Sequence, residues 1–161
     1  MYDADTIDSA DYSAEAVEAI KNLKARYYRC MDTKQWDGWN EVFALDATMD
    51  TREEAPGLEI VVGRGNIVAF VSTALEGVTT CHHGHMPEIE LTSPTTATGI
   101  WAMEDHLWFS EGHPLGIAQM HGYGHYHETY ELIADGKGAG RWLIKTLKLT
   151  RLRVDATMAG E

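Results

Sequence analysis

From residue 79 to residue 107 the chain runs TTCHHGHMPEIELTSPTTATGIWAMEDHL, and where this stretch is cut decides the fold. Ser93-Pro94 separates two runs of strand-like composition, 79–92 and 95–109. Alternate residues of a strand share a face, so Trp101, Met103, Asp105 and Leu107 point one way and Glu104, His106 and Trp108 the other. An acid among Trp, Met and Leu is either paired or pushed up in pKa. The first run is harder to phase. Ile89 and Leu91 set an odd-numbered inner face, and simple alternation would then turn Cys81, His83 and His85 inward. Gly84 and Pro87 both favour a bulge, which would shift the phase and bring His82 inward instead. Spacing leaves the two readings open.

Downstream, 117–133 and 141–153 are again strand-like, bounded by Glu111-Gly112-His113-Pro114 and a turn at 135–140. Strands this long, joined as hairpins or a meander, make a curled antiparallel sheet. Upstream the period changes. Residues 14–31 read as a helix with Ser13 as N-cap and Val17, Ile20, Leu23, Tyr27 and Met31 on one face. A short helix is expected near 36–45, with Trp36, Trp39 or Asn40, and Phe43 buried. Residues 46–50 and the loop through Pro56-Gly57 break that pattern, and Gly63-Arg64-Gly65 leads into a third helix, 66–75, with Ile67, Phe70, Val71 and Ala74 inward. Helices first and a meander afterwards indicate α+β, with the helices covering one face of the sheet.

The length of 161 residues fits one domain with a substantial core, preceded by an N-terminal arm, 1–13, read as mobile or as an extra packing segment, and followed by a tail, 156–161. A formal net charge of −12 argues against nucleic acid and anionic membranes as partners. No apolar run is long enough to span a bilayer, and the acidic N-terminus lacks the order of a secretory signal, so a cytoplasmic protein is expected. Cys30 and Cys81 lie in unlike contexts and suggest no disulfide.

The chemistry-bearing residues are mostly histidines. Imidazole can take and give a proton near neutral pH, and a carboxylate reaching it from the next strand would fix its tautomer. Gly122-Tyr123-Gly124-His125-Tyr126-His127 adds more imidazole on a strand whose glycines permit a bend or close approach by a ligand. His83 and His85 share a strand face and could chelate with His125 or His127, but no metal-site spacing such as His-Glu-x-x-His is present and no metal is expected. No Gly-x-Ser-x-Gly elbow occurs, Gly63-Arg64-Gly65 is too short for a phosphate loop, and Cys30 on a helix reads as core.

With these residues in hand the chain resembles the SnoaL-like members of the nuclear transport factor 2-like superfamily. The resemblance runs through Leu23-Lys24-Ala25-Arg26-Tyr27-Tyr28-Arg29-Cys30-Met31-Asp32, Trp36-Asp37-Gly38, Gly63-Arg64, His82-His83-Gly84-His85-Met86, Gly99-Ile100-Trp101-Ala102-Met103-Glu104-Asp105, Gly122-Tyr123-Gly124-His125-Tyr126 and Leu149-Thr150-Arg151-Leu152. Within that superfamily it is similar to scytalone dehydratase and bile acid 7α-dehydratase. The resemblance implies a cone-shaped α+β barrel, a curled, mostly antiparallel sheet wrapped around three N-terminal helices with an internal pocket. The catalytic Tyr, Asp, His and Asp of bile acid 7α-dehydratase look matched by Tyr27, Asp32, His82 and Asp105, which favours the bulged phase of 79–92. Arg151 matches an arginine near the end of the last strand. At Asp105 the chain departs from scytalone dehydratase, whose full residue set is not carried over.

These features imply a cofactor-independent lyase, a dehydratase acting by acid–base catalysis on a hydrophobic aromatic or polycyclic alcohol. His82 would move the proton, Asp105 hold its ring, Tyr27 donate to the developing charge, and Asp32 act as a second base or orient Tyr27. Trp101, Met103 and Tyr123 would wall the pocket, with His125 and Arg151 also binding substrate. Loss of formaldehyde from an aryl-substituted diol and double-bond isomerisation are close variants. A non-catalytic β-type subunit of a ring-hydroxylating dioxygenase and a small-molecule binding module are the alternatives from other classes. Outward Trp108 and Tyr130, together with the resemblance, favour a homotrimer.

Overall fold

Ile20, Leu23, Tyr27 and Met31 recur at helical spacing and are buried, and they hold α1 (Ala4–Asp32) against the sheet. The computed structural model describes residues 4–134, 136, 138 and 140–160, with side chains from residue 13 onward. Helical backbone begins at Ala4, within the segment expected as an arm; its side chains, and part of the expected turn at 135–140, lie outside the described residues. The helix ends where Lys34 adopts a left-handed φ of 57° and the N–H of Gln35 turns back to the carbonyl of Cys30 at 2.8 Å.

α2 (Trp36–Asn40) is shorter than expected, because the chain from Phe43 is already β1 (Phe43–Asp50). Phe43, Ala44, Ala47 and Met49 of β1 are buried, and β1 runs parallel to the last strand, Phe43 pairing with Ile144 and Thr48 with Thr146. β2 (Val61–Val62) pairs back on β1. α3 (Arg64–Ala74) buries Ile67 and packs Val68 and Val71 on the core; Phe70 is only half-buried and Ala74 is exposed, so its inner face is rotated from the expected one.

Four long strands follow the expected order: β3 (Val78–Ser93), β4 (Thr96–Phe109), β5 (Ile117–Ile133) and β6 (Arg141–Met158), the last running past its expected end at 153 and into the expected tail because Ala156, Thr157 and Met158 pair with the start of β5. They pair as an antiparallel meander in a six-stranded sheet of order β2-β1-β6-β5-β4-β3. The fold is the expected α+β cone, in which the curled sheet wraps the helices and the core lies between them. Among the described residues, no helix is long and apolar enough to cross a membrane.

Tyr130, expected on the outer surface, is 1% exposed. Tyr126, Glu128 and Tyr130 share the inner face of β5, and that phase sends the odd-numbered residues outward.

Candidate active site

The site begins with a break in β3. His82 pairs with Asp105, His83 with Glu104 and Gly84 with Met103, then the register shifts before Pro87 pairs with Trp101 and Ile89 with Gly99. The extra length at Gly84–Pro87 lets Ile89 and Leu91 face the core on one side of the bulge while Val78, Thr80 and His82 face it on the other. The His82 side chain is 7% exposed, whereas those of His83 and His85 are 62% and 56% exposed.

At the C-terminal end of α1, Asp32 meets His82 twice. Its Oδ1 lies 2.6 Å from Nδ1 of the imidazole, and its Oδ2 accepts the backbone N–H of His82 at 2.9 Å. Thr80 donates its hydroxyl to the same Oδ1 at 2.9 Å and accepts from Lys34 Nζ at 2.9 Å. Burial alone would raise the Asp32 pKa; the hydrogen bonds from the His82 ring, the His82 backbone and Thr80 bring it below the usual carboxylate value. An ionised Asp32 can only accept here, so the ring carries its proton on Nδ1 and the neutral imidazole has its lone pair on Nε2. The aspartate that holds the ring is therefore Asp32 rather than Asp105, the residue expected to do so.

Asp105 lies on the other side of the imidazole, with Oδ2 3.9 Å from Nε2. It is gripped by the Arg151 guanidinium, Nη1 to Oδ1 at 3.1 Å and Nη2 to Oδ2 at 2.8 Å. Arg151 is held in turn by Glu54, with Nε to Oε1 at 2.6 Å and Nη2 to Oε2 at 3.1 Å. Burial works against the Arg151 charge, but its hydrogen bonds to the Glu54 and Asp105 carboxylates prevail and raise its pKa. The pair needs a glycine beneath it: a Cβ at Gly122 would meet Asp105 Oδ1 and come within 2.5 Å of Arg151 Nη1. The space at that glycine, expected to admit a bend or a ligand, is filled by an internal ion pair.

Tyr27 is 2% exposed and packs among Tyr28, Trp39, Phe43 and Tyr126. Beneath it is a pair the sequence reading passed over. Lys24 and Glu128 form a salt bridge with both side chains wholly buried, and Tyr130 donates its hydroxyl to the same carboxylate. Burial lowers the Lys24 pKa, opposed by Glu128, and its ammonium lies 3.9 Å from the Tyr27 ring and 3.8 Å from the Tyr126 ring. The signal was available: Lys24 stands four residues after Ile20 on the inner helical face, and Glu128 lies between inward Tyr126 and Tyr130.

A cleft of about 520 Å³ opens between α1 and β3, and its lining includes Tyr28, Asp32, His82, Gly84, Pro87 and Trp101. Tyr27 is not in that lining; its neighbour Tyr28 is. Trp101 lines the cleft and donates its indole N–H to Tyr130 at 2.8 Å, while Met103 is buried against Arg151. Tyr123 and His125, expected to bind substrate, lie on the outer face. The even-numbered residues of β5 point inward, so the Tyr123 hydroxyl meets His121 Nδ1 at 3.3 Å and His125 sits beside His127. On that outer surface His85 and His121 approach Glu104 at 3.5 and 3.1 Å. Among the described residues, no group of three or more His, Cys, Asp or Glu is placed to hold a metal ion.

The family model of the SnoaL-like domain matches residues 12–148, and the chain belongs to that family. It is 29% identical over 150 residues to the probable cyclase FGR4 of Gibberella zeae, covering 87% of this chain and 93% of that protein. Among solved structures, a scytalone dehydratase-like protein of Novosphingobium aromaticivorans superposes with a TM-score of 0.76 at 19% identity, covering 94% of this chain and 98% of its own. The hexachlorocyclohexane dehydrochlorinase LinA-type3 of Novosphingobium barchaimii gives 0.74 at 18% identity, covering 93% and 94%. At these identities the two structural likenesses establish the fold.

Proposed function

We propose that this SnoaL-like protein is a cofactor-independent lyase, a dehydratase that eliminates water from a hydrophobic aromatic or polycyclic alcohol with His82 as both base and acid. The observation that carries the proposal is the Asp32–His82 contact of 2.6 Å at the wall of the cleft. Asp32 holds the proton on Nδ1, which leaves Nε2 as the base that removes a proton from substrate carbon. The imidazolium so formed lies between two carboxylates, one of them balanced by Arg151, and next to the electronegative end of α1. It then returns its proton to the departing hydroxyl, which leaves as water. Tyr27, packed edge-on against Tyr28, serves as a positioning residue for the cleft wall. A positioned acid–base group contributes about 10²–10⁴-fold.

Relatives named for cyclisation and dehydrochlorination support a reading of this family's site as one that transforms small molecules. The same base would serve double-bond isomerisation or loss of formaldehyde from an aryl-substituted diol. A homotrimer belongs to the same proposal, supported by exposed Ile100, Trp108, Leu152 and Val154 on the sheet.

The test is turnover of a panel of aromatic and polycyclic alcohols by the purified protein after chelation. Absorbance reports the new double bond, and product mass distinguishes loss of water, loss of formaldehyde and no loss. His82→Gln is expected to lower kcat by at least about 10²-fold. Activity abolished by chelation and restored by zinc or iron would refute the mechanism. So would an inert protein that co-purifies with an iron-bearing partner.

A further inference from the structure

The helix α1 stops on a residue that its backbone disfavours. The N–H of Lys34 returns to the carbonyl of Met31 at 3.1 Å and that of Gln35 to Cys30 at 2.8 Å, a helix stop that puts Lys34 in the left-handed region and is ordinarily made with glycine or asparagine. Lys34 sits there at a φ of 57°, and among the described residues it is the only non-glycine with a positive φ. A side chain in that conformation crowds its own backbone, and such strain persists where the side chain is needed.

What the side chain gains is Thr80. Lys34 and Asp32 both line a cavity of about 690 Å³ on the far side of the pair from the cleft, and Lys34 Nζ donates to Thr80 Oγ1 at 2.9 Å. An ammonium can only donate, so Thr80 accepts from it and has just its own proton left to give, which goes to Asp32 Oδ1 at 2.9 Å. The same Oδ1 lies 2.6 Å from His82 Nδ1. One directed chain therefore runs from Lys34 through Thr80 to Asp32, with the imidazole donating from the other side. Burial lowers the Lys34 pKa, opposed by the charge of Asp32. The other titratable groups around the pair are Tyr28 on α1, stacked on the imidazole, Asp105 on β4 with Arg151 of β6 and Glu54 behind it, and Glu76 after α3 in the lining of the Lys34 cavity. Arg151 is already neutralised by two carboxylates, and the exposed Lys21, Arg29 and His83 of the cleft lining are screened by water.

We propose that Lys34 is a positioning residue which, acting through Thr80, keeps Asp32 Oδ1 turned to the imidazole and holds the Asp32–His82 pair in its basic form. The assignment deepens the acid–base role given to His82 above and rests on it for its effect on turnover. Thr80, held by the ammonium, cannot turn its proton to another acceptor, so the carboxylate keeps its direction. The lysine charge favours the carboxylate and disfavours the imidazolium, so the pair resists taking up a proton as the pH falls. Glycine at the helix end would relieve the backbone and lose both effects.

Three substitutions separate charge from backbone. Lys34→Met removes the charge and keeps the strain, Lys34→Gly removes both, and Lys34→Arg keeps the charge. The acid limb of the pH–rate profile should move up by about half to one pH unit in Lys34→Met and Lys34→Gly alike, the effect of one charge at roughly 7 Å in a medium of intermediate dielectric. It should stay in place in Lys34→Arg and move the same way in Thr80→Val, which cuts the chain. Lys34→Gly should nonetheless melt about 2–4 °C above Lys34→Met, because glycine takes the left-handed conformation without strain. Nitrogen-15 titration of the His82 ring reads the same proton uptake without substrate. A ring titration that shifts as expected in a protein inert toward every alcohol would uphold the assignment and reject the lyase reading. Turnover with an acid limb unmoved in Lys34→Met and Lys34→Gly would do the reverse. An equal shift in Lys34→Arg, no shift in Thr80→Val, or Lys34→Gly melting below Lys34→Met would each overturn the assignment as well.

Discussion

Replacing Asp32 by Asn changes one oxygen for an amide nitrogen and tests the geometry around His82 directly. In the wild type three donors converge on the carboxylate: the Nδ1–H and backbone N–H of His82 and the Thr80 hydroxyl. The asparagine oxygen can keep the backbone N–H. Its NH₂ then faces Nδ1, which must become an acceptor, and the imidazole proton moves to Nε2. The base of the proposed elimination is then blocked. An equivalent tautomer error in a serine-protease triad costs about 10⁴ in kcat, and a loss of about 10³–10⁴-fold is expected here. A hydrogen bond to a charged group contributes about 1.5–3 kcal/mol, and two are disturbed while Thr80 can rotate to re-pair, so stability at neutral pH should fall by about 2 kcal/mol. The folded-state pKa of Asp32 lies below its unfolded value, so this contribution is complete above about pH 4 and is lost as pH falls through the folded value. Denaturant curves of the two proteins should therefore converge in acid. Nitrogen-15 spectra of the His82 ring read the tautomer without any substrate, with the proton on Nδ1 in wild type and on Nε2 in Asp32→Asn. The same tautomer in both proteins, or neutral-pH activity of the variant within threefold of wild type, would refute the reasoning.

Lys24→Met strands the Glu128 carboxylate and should destabilise the fold by about 3–5 kcal/mol in urea unfolding, while Lys24→Met with Glu128→Leu should recover most of it. Gly122→Ala forces Asp105 and Arg151 apart; a cost of about 1–3 kcal/mol and an altered pH–rate profile are expected, measured by denaturation and initial rates. Sedimentation velocity at micromolar concentration should give a trimer, and a monomer would reject that part of the proposal.

The long strands and α1 were legible because their periods extend over many residues, and the bulge was legible because Gly84 and Pro87 announce it. Choosing between its two phases took the resemblance as well as the pattern. β1 was not legible. Phe43 reads as the end of a helical face and the following residues mix apolar and acidic side chains without strict alternation, and what makes the segment a strand is parallel pairing with β6, about a hundred residues away. Tyr123 and His125 were placed by their chemistry, although the phase set by Tyr126, Glu128 and Tyr130 turns them outward. Lys24 was overlooked because a charged residue on an inner helical face is ordinarily assigned to the rim. Its partner on β5 is what brings it inside.

Lys24, Tyr28 and Asp32 stand four residues apart on a single stripe, and each answers a different part of the sheet: Glu128 on β5, and Gly84 and His82 on β3. A lengthwise slide of the helix would misplace all three at once, so the deep ion pair works as a mechanical stop that sets the height of the carboxylate beside the imidazole. Evolution can therefore adjust the cleft walls on Pro87 and Trp101 far more freely than the helix facing them. New substrates would be expected to come through the sheet, with α1 inherited as one indivisible piece.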